Sequence, residues 1–72
     1  MMHEHESMTA EEVLQTALTR EEHAHKLYVQ LAAQCGIDFV RELLERLADE
    51  EGKHVRLLEE MITRLHLGKD IV

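Results

Sequence analysis

Two polar side chains interrupt an apolar helix seam in the second half of the chain. The positions of this seam alternate in steps of four and three, the spacing at which one helix packs against others. Glu51 and His54 lie side by side in its middle. The other seam positions are apolar: Val40, Leu44, Leu47, Leu58, Met61 and Leu65. Because an unpaired carboxylate is costly in apolar surroundings, Glu51 and His54 predict a shared partner, such as a metal ion.

A second seam with the same spacing runs through the first half of the chain. It consists of positions 14, 18, 21, 25, 28, 32 and 35, and its central polar members are Glu21 and His25. The sequence therefore places one carboxylate of the first seam and a carboxylate–imidazole pair of the second where apolar residues are expected.

Two helices must position these residues. The capping-box pattern of residues 9–12, TAEE, predicts that the first helix begins at about residue 9. Gly36 follows the last seam position, Cys35, and predicts a left-handed helix end there. We expect Asp38 to cap a second helix that runs from about residue 39 to Leu67 and stops at Gly68.

So short a connection predicts that the two helices fold back as an antiparallel hairpin, which makes the chain all-α. At about 1.5 Å of rise per residue, Glu21, Glu51 and His54 all lie roughly 22 to 26 Å from the turn. We therefore expect these three side chains to meet at one height inside the seam.

Length and composition constrain the organisation. The 72 residues form one domain near the lower limit at which a single core supports itself, so help from a partner chain or a metal is expected. We interpret residues 1–8 as a flexible N-terminal tail, 9–67 as the hairpin and 68–72 as a C-terminal tail. His3 and His5 in the first tail can bind a stray divalent metal, but a mobile tail offers no preorganised site.

Charge and hydropathy exclude several classes of function. Eight basic and fifteen acidic residues give a net charge of −7, which disfavours nucleic acid and anionic membranes as partners and suits cations. No apolar stretch is long enough for a membrane span, and the first residues lack the apolar run of a signal peptide. With Cys35 as the lone cysteine, we expect a cytoplasmic protein, free or within a protein compartment.

The ligand chemistry indicates the metal and the assembly. Carboxylates with an imidazole and no thiolate suit iron or manganese better than structural zinc. One hairpin supplies only three ligands, whereas two hairpins related by a twofold axis supply four Glu and two His within a four-helix bundle, the ligand set of di-iron carboxylate bundles. We therefore expect a homodimer or a higher homo-oligomer.

Two segments resemble the rubrerythrin and ferritin-like family, in its short rubrerythrin-related branch. Residues 21–28, EEHAHKLY, are similar to the family's Glu followed seven residues later by Tyr, and residues 47–54, LADEEGKH, are similar to its Leu-Ala-x-x-Glu-x-x-His. The resemblance covers about residues 10–66. It implies that the dimer is a ferritin-like four-helix bundle.

The resemblance also implies roles for individual residues. Glu21 would be a terminal ligand, Glu51 a carboxylate that bridges two metals and His54 the nitrogen ligand, each contributed twice. Tyr28 would donate a hydrogen bond to a ligand carboxylate, and His25 is a further candidate near the cofactor. The cofactor would be two iron ions per dimer, with manganese or zinc as alternatives.

Family members have four helices in one chain, whereas this chain has two, which makes it similar to the encapsulated ferritins that are stored inside a protein shell. The chain has no Cys-rich rubredoxin segment, so a shell and an external electron donor are candidate partners. The implied activity is ferroxidase-like oxidation of Fe(II) with dioxygen or peroxide, for iron storage or detoxification. A rubrerythrin-like peroxide reductase is an alternative.

Other readings of the same residues remain open. If the first helix is rotated slightly, Glu22 points inward instead of Glu21, and Glu50 competes with Glu51. His54 can be a core imidazole bonded only to a carboxylate, and His25 an extra ligand or a bonded neighbour. Tyr28 can simply fill the core, and Gly52 either admits a neighbouring helix or has no role. Non-catalytic metal binding and metal-free dimerisation are the corresponding alternative functions.

Overall fold

The computed structural model describes residues 7–71, which form two helices joined by a short turn. They are α1 (Ala10–Gln34) and α2 (Asp38–Ile71). The predicted all-α helical hairpin is confirmed. The expectations for His3 and His5 lie outside the described residues.

Hydrogen bonds between side chains of one helix and groups of the other show that α1 and α2 run antiparallel. As the partner in α1 advances along the chain, the partner in α2 moves back. The pairs are Glu11 with His66, Glu21 with His54, and His25 with the carbonyl of Ala48. Within the described part of the chain, neither helix is long and apolar enough to cross a membrane.

The N-terminus of α1 is held by the predicted capping box. The Glu12 amide donates to the Thr9 hydroxyl at 3.1 Å, and the Thr9 amide donates to the Glu12 carboxylate at 2.9 Å. Two amides that no helical carbonyl can reach are thereby satisfied. Thr9 is the cap, and the helix begins at Ala10.

The turn differs from the expected glycine-based helix end. Cys35 caps α1 in an extended conformation, with φ −90° and ψ 124°. No residue that the structure describes, Gly36 included, has a positive φ. The connection consists of residues 35–37, which belong to neither helix, and Arg41 Nη1 donates to the Cys35 carbonyl at 3.3 Å. The left-handed end predicted at Gly36 is wrong, because glycine permits that conformation without requiring it.

Both ends of α2 also differ slightly from the prediction. The Ile37 carbonyl accepts the first helical hydrogen bond, from the Arg41 amide at 2.9 Å, so Ile37 occupies the cap position. Asp38 is the first helical residue, and its carboxylate pairs with the Arg41 guanidinium at 2.8 Å. At the other end α2 passes through Gly68 to Ile71. The predicted stop at Gly68 is wrong, since a helical glycine costs only about 1 kcal/mol relative to alanine.

The buried residues lie in or directly beside the two seams. Of all the seam positions, only His54 is exposed. The buried apolar residues among those described are Ala32, a seam position, and Ala48 and Ile62, each of which follows a seam position. These are small or medium-sized side chains, so a single hairpin has a thin core.

The hairpin has a front face, on the side of His54, and a rear face on the opposite side of α2. The front face carries His54 and, at two or three helical turns from it, Leu43, Leu47 and Met61. Leu43 is 48 % exposed. The rear face carries Gly52, which lies two residues before His54 and therefore about 200° round the helix. The grooves of the rear face are lined in part by His25, Val29, Arg41, Glu45, Gly52 and Arg56.

Candidate metal centre

The three predicted ligands come together on the front side of the hairpin. α1 contributes Glu21, and α2 contributes Glu51 and, one turn later, His54. One ligand atom from each residue lies within 4.8 Å of the other two. His54 Nδ1 is 3.3 Å from Glu21 Oε1 and 3.4 Å from Glu51 Oε1. Two carboxylates and an imidazole therefore converge at a spacing that a single cation could bridge.

The cluster opens toward the front face. The Glu51 and Glu21 side chains are 22 % and 31 % exposed, whereas His54 is 53 % exposed. The carboxylates thus lie between the helices, and the imidazole forms the outer edge. A metal held here would have protein ligands on one side and an open side at the front face.

One oxygen of Glu51 marks where a cation fits. Glu51 Oε1 is buried and accepts no hydrogen bond within the described part of the chain, although His54 Nδ1 lies 3.4 Å away. A buried carboxylate oxygen without a partner is unfavourable and calls for an explanation. A cation bound by Glu21, Glu51 and His54 would satisfy this oxygen, and the donor set suits iron or manganese. The residues present therefore fit a metal.

The two carboxyl groups shift each other's pKa in opposite directions. Hydrogen bonding between them raises the pKa of Glu51, to which partial burial also contributes. The same interaction lowers the pKa of Glu21, and the His54 imidazole lowers it further. Two carboxylates so close disfavour each other's charged form, and this cost appears as the raised pKa of Glu51.

His54 is shifted toward its charged form. The hydrogen bond to the Glu21 carboxylate raises the pKa of His54, with a further contribution from Glu51, while partial burial opposes the shift. The two carboxylates thus favour the protonated, positively charged form of the imidazole. A metal ion would have to displace this proton, since only the neutral imidazole binds a metal.

The structure separates the competing carboxylates. Glu22 and Glu50 are both exposed, and Glu50 pairs loosely with Lys53 at 3.8 Å. Glu21 and Glu51 are the members of each pair that face the neighbouring helix.

His25 and Tyr28 lie near the cluster without joining it. His25 Nδ1 is 2.8 Å from the Ala48 carbonyl, so this side chain contacts the backbone of α2 rather than a ligand carboxylate. Tyr28 is half-buried, and its hydroxyl makes no hydrogen bond within residues 7–71. Donation by Tyr28 to a carboxylate stays a prediction for an assembled protein.

Sequence reasoning missed one contact between the helices. His66 is exposed, but its Nε2 lies 3.0 Å from Glu11 Oε2. The pair joins the first turn of α1 to the last part of α2. The antiparallel pairing that sets Glu21 opposite His54, continued toward the start of α1 and the end of α2, could have indicated this contact.

A comparison with protein families gives a clear result. The rubrerythrin family model matches residues 12–72, which include α1 except its first two residues, the whole of α2 and all three residues of the cluster. The chain belongs to the rubrerythrin family. Comparisons with curated proteins and with solved structures gave no match.

Membership of the rubrerythrin family bears directly on the cluster. Proteins of this family typically bind iron. This rubrerythrin-family chain has a carboxylate–imidazole group that can hold a metal ion, formed by Glu21, Glu51 and His54.

Proposed function

We propose that this rubrerythrin-family protein is a ferroxidase-like di-iron protein whose metal site forms between two copies of the chain. The observation that carries the proposal is the convergence of Glu21, Glu51 and His54 on the front face of the hairpin.

A single cluster has too few ligands for a di-iron site. Glu21, Glu51 and His54 offer two carboxylates and one imidazole, whereas di-iron bundles use four carboxylates and two imidazoles. Two hairpins that face each other at the height of the cluster double the set. Because the cluster lies at the front and His54 forms its outer edge, a second cluster can approach without rearrangement of the helices.

The apolar residues around the cluster favour a second copy as the cover of this face. Leu43, Leu47 and Met61 share a row of α2 with His54. Burial of apolar area stabilises such an interface by roughly 25 cal/mol per Å². A covering copy would also exclude water from the carboxylates.

The residues of the chain would bind and orient the metals. Glu21 and His54 would be terminal ligands, and Glu51 would be the carboxylate shared by the two metals. Binding would displace any proton still held by His54 or Glu51. The bound iron pair supplies the electrons that reduce dioxygen or peroxide, and Tyr28 would orient a ligand carboxylate.

Anaerobic titration with Fe(II), followed by admission of air, tests the proposal. We expect saturation near one iron per chain, two per dimer, and then oxygen uptake in proportion to the bound iron. Saturable binding without oxygen uptake would indicate a storage or binding protein. A helical dimer that binds no Fe(II) and is unaffected by chelators would contradict the proposal. Faster consumption of hydrogen peroxide than of dioxygen, with an added reductant, would favour a peroxide reductase.

Glu51→Ala should abolish stoichiometric metal binding, because it removes the bridging carboxylate from both copies. We expect apparent affinity for Fe(II) or Co(II) to fall by more than about 100-fold, beyond the effect of losing an outer hydrogen-bond partner. Glu50→Ala is the matched control, since Glu50 is the neighbouring acid but is exposed. Equal affinities for the two variants in calorimetric titrations would contradict the assignment of Glu51.

A further inference from the structure

We propose that His25 is a positioning residue. By donating a hydrogen bond to the Ala48 carbonyl, with Gly52 providing room for its ring, His25 sets the spacing and register of the two helices at the metal ligands. This inference rests on the proposed metal site, but it concerns a residue outside the ligand set and a contact on the opposite, rear side of the interface.

The location of the bond links it to the ligands. His25 lies one helical turn after Glu21 on α1, and Ala48 lies three residues before Glu51 on α2. The distance from His25 Nδ1 to the Ala48 oxygen is 2.8 Å. Ala48 is only 5 % exposed, so the helices are in close contact at this point. Each helix is thereby anchored about one turn from the carboxylate that it contributes.

This bond is shorter than the other hydrogen bonds between the helices in the described residues. The His54–Glu21 contact is 3.3 Å long, and the His66–Glu11 contact at the far end of the hairpin is 3.0 Å long. The ligand contact itself is too long and too exposed to fix the helix spacing. The His25–Ala48 bond is the better candidate for that role.

The chemistry of the bond fixes the proton on the ring. A carbonyl oxygen only accepts, so Nδ1 of His25 must carry a proton, whether the ring is neutral or charged. The bond is therefore present in either charge state of His25.

Gly52 explains how the ring reaches the backbone of α2. A Cβ added at Gly52 would lie 3.5 Å from His25 Cε1 and 3.6 Å from His25 Nδ1, which is van der Waals contact. The ring therefore lies against a helix surface without a side chain. Alanine would just fit, whereas atoms beyond Cβ would compete with the ring for space. The contact therefore restricts position 52 to glycine or alanine, the two residues without atoms beyond Cβ.

The first test compares Co(II) binding by the full chain and its variants. We expect His25→Leu to weaken Co(II) binding about 10- to 100-fold and to change the visible absorption of the bound Co(II), because the ligands are held less well. His25→Asn should retain much of the wild-type Co(II) affinity and absorption spectrum, since the amide nitrogen of Asn occupies the position of Nδ1. His23→Leu is the matched control, because His23 is an exposed histidine on the same helix.

Gly52 variants test the same contact from the other helix. Gly52→Val should reproduce the effect of His25→Leu, and Gly52→Ala should bind Co(II) like the wild type. Combining Gly52→Val with His25→Leu should add little to either change alone, because both remove one interaction. Full additivity of the two effects would contradict a shared contact.

A measurement on the metal-free protein separates this inference from the proposed function. Nitrogen-15 NMR of His25 should show a proton on Nδ1 in the wild type, and Gly52→Val should alter that signal. If wild-type protein binds no Co(II), the proposed function fails, while the NMR result still decides the contact. If His25→Leu and His23→Leu bind Co(II) with the same affinity and spectrum, or if Nδ1 carries no proton, the inference is overturned.

Discussion

The pKa of Glu51 is raised above that of an isolated glutamate, chiefly because of the hydrogen bond with the Glu21 carboxyl. The same two carboxylates raise the pKa of His54. At the scale of single residues, both shifts mean that protons would compete with the proposed metal for these side chains.

Competition between protons and the metal predicts how metal affinity depends on pH. The pKa of His54 is raised from its ordinary value of 6.5, and the pKa of Glu51 is raised from 4.5. Both groups must lose their protons, so acid competes with the metal and affinity rises with pH through the raised pKa of His54. We expect Co(II) affinity to fall about tenfold per pH unit for each proton displaced.

Calorimetry in buffers of different ionisation enthalpy would count the protons released per Co(II). At pH values below the raised pKa of His54, we expect the release of close to one proton per chain. At higher pH the number of protons released should decline. An affinity that is constant from about pH 5 to pH 8, the range in which histidines titrate, would contradict the coupling.

At the scale of the elements, local signals differ in how strongly they determine a helix end. The capping box at Thr9 and Glu12 satisfies two amides with specific side-chain atoms. Both of its hydrogen bonds are present in the structure, as the sequence predicts. Gly36 and Gly68 supply only conformational freedom. α1 ends without a left-handed residue, and α2 continues past Gly68 to Ile71.

Thr9→Ala should lower the free energy of unfolding by about 1 kcal/mol, because it removes the side-chain acceptor of the Glu12 amide. Chemical denaturation followed by circular dichroism would measure the change, at one fixed protein concentration so that assembly contributes equally. Thr16→Ala in the middle of α1 is the control, since Thr16 is exposed and alanine favours helix. Equal destabilisation by both substitutions would show that the cap contributes nothing.

At the scale of the whole molecule, exposed apolar side chains differ in whether the proposed assembly would cover them. Leu43 lies three turns from His54 on the front face, whereas Val29 lies beside a rear groove that His25 also lines. Both side chains are 48 % exposed in the single hairpin. The proposed assembly covers Leu43 and leaves Val29 in solvent.

Leu43→Glu should therefore dissociate the proposed assembly and abolish metal binding, because it introduces a charge into the covered face. Val29→Glu should leave both properties unchanged. Light scattering after size-exclusion chromatography would give the masses, and Co(II) titration the binding. If Leu43→Glu retains the mass of the wild type, or if Val29→Glu dissociates it, the front face is not the interface.

The sequence by itself determined the two helices, their antiparallel pairing and the set of three candidate ligands. Hydrophobic periodicity, a capping box and the rise per residue depend only on local geometry, and they were sufficient to place Glu21, Glu51 and His54 at one height. The choice of Glu21 over Glu22 and of Glu51 over Glu50 also followed from seam positions, in agreement with the burial in the structure.

Only the tertiary structure decided how the helices lie against each other. Three features depend on distances between α1 and α2: the raised pKa of Glu51, its unpartnered oxygen and the His25–Ala48 bond. Such distances are set by the fit of side chains across the interface. Periodicity within one helix carries no information about that fit.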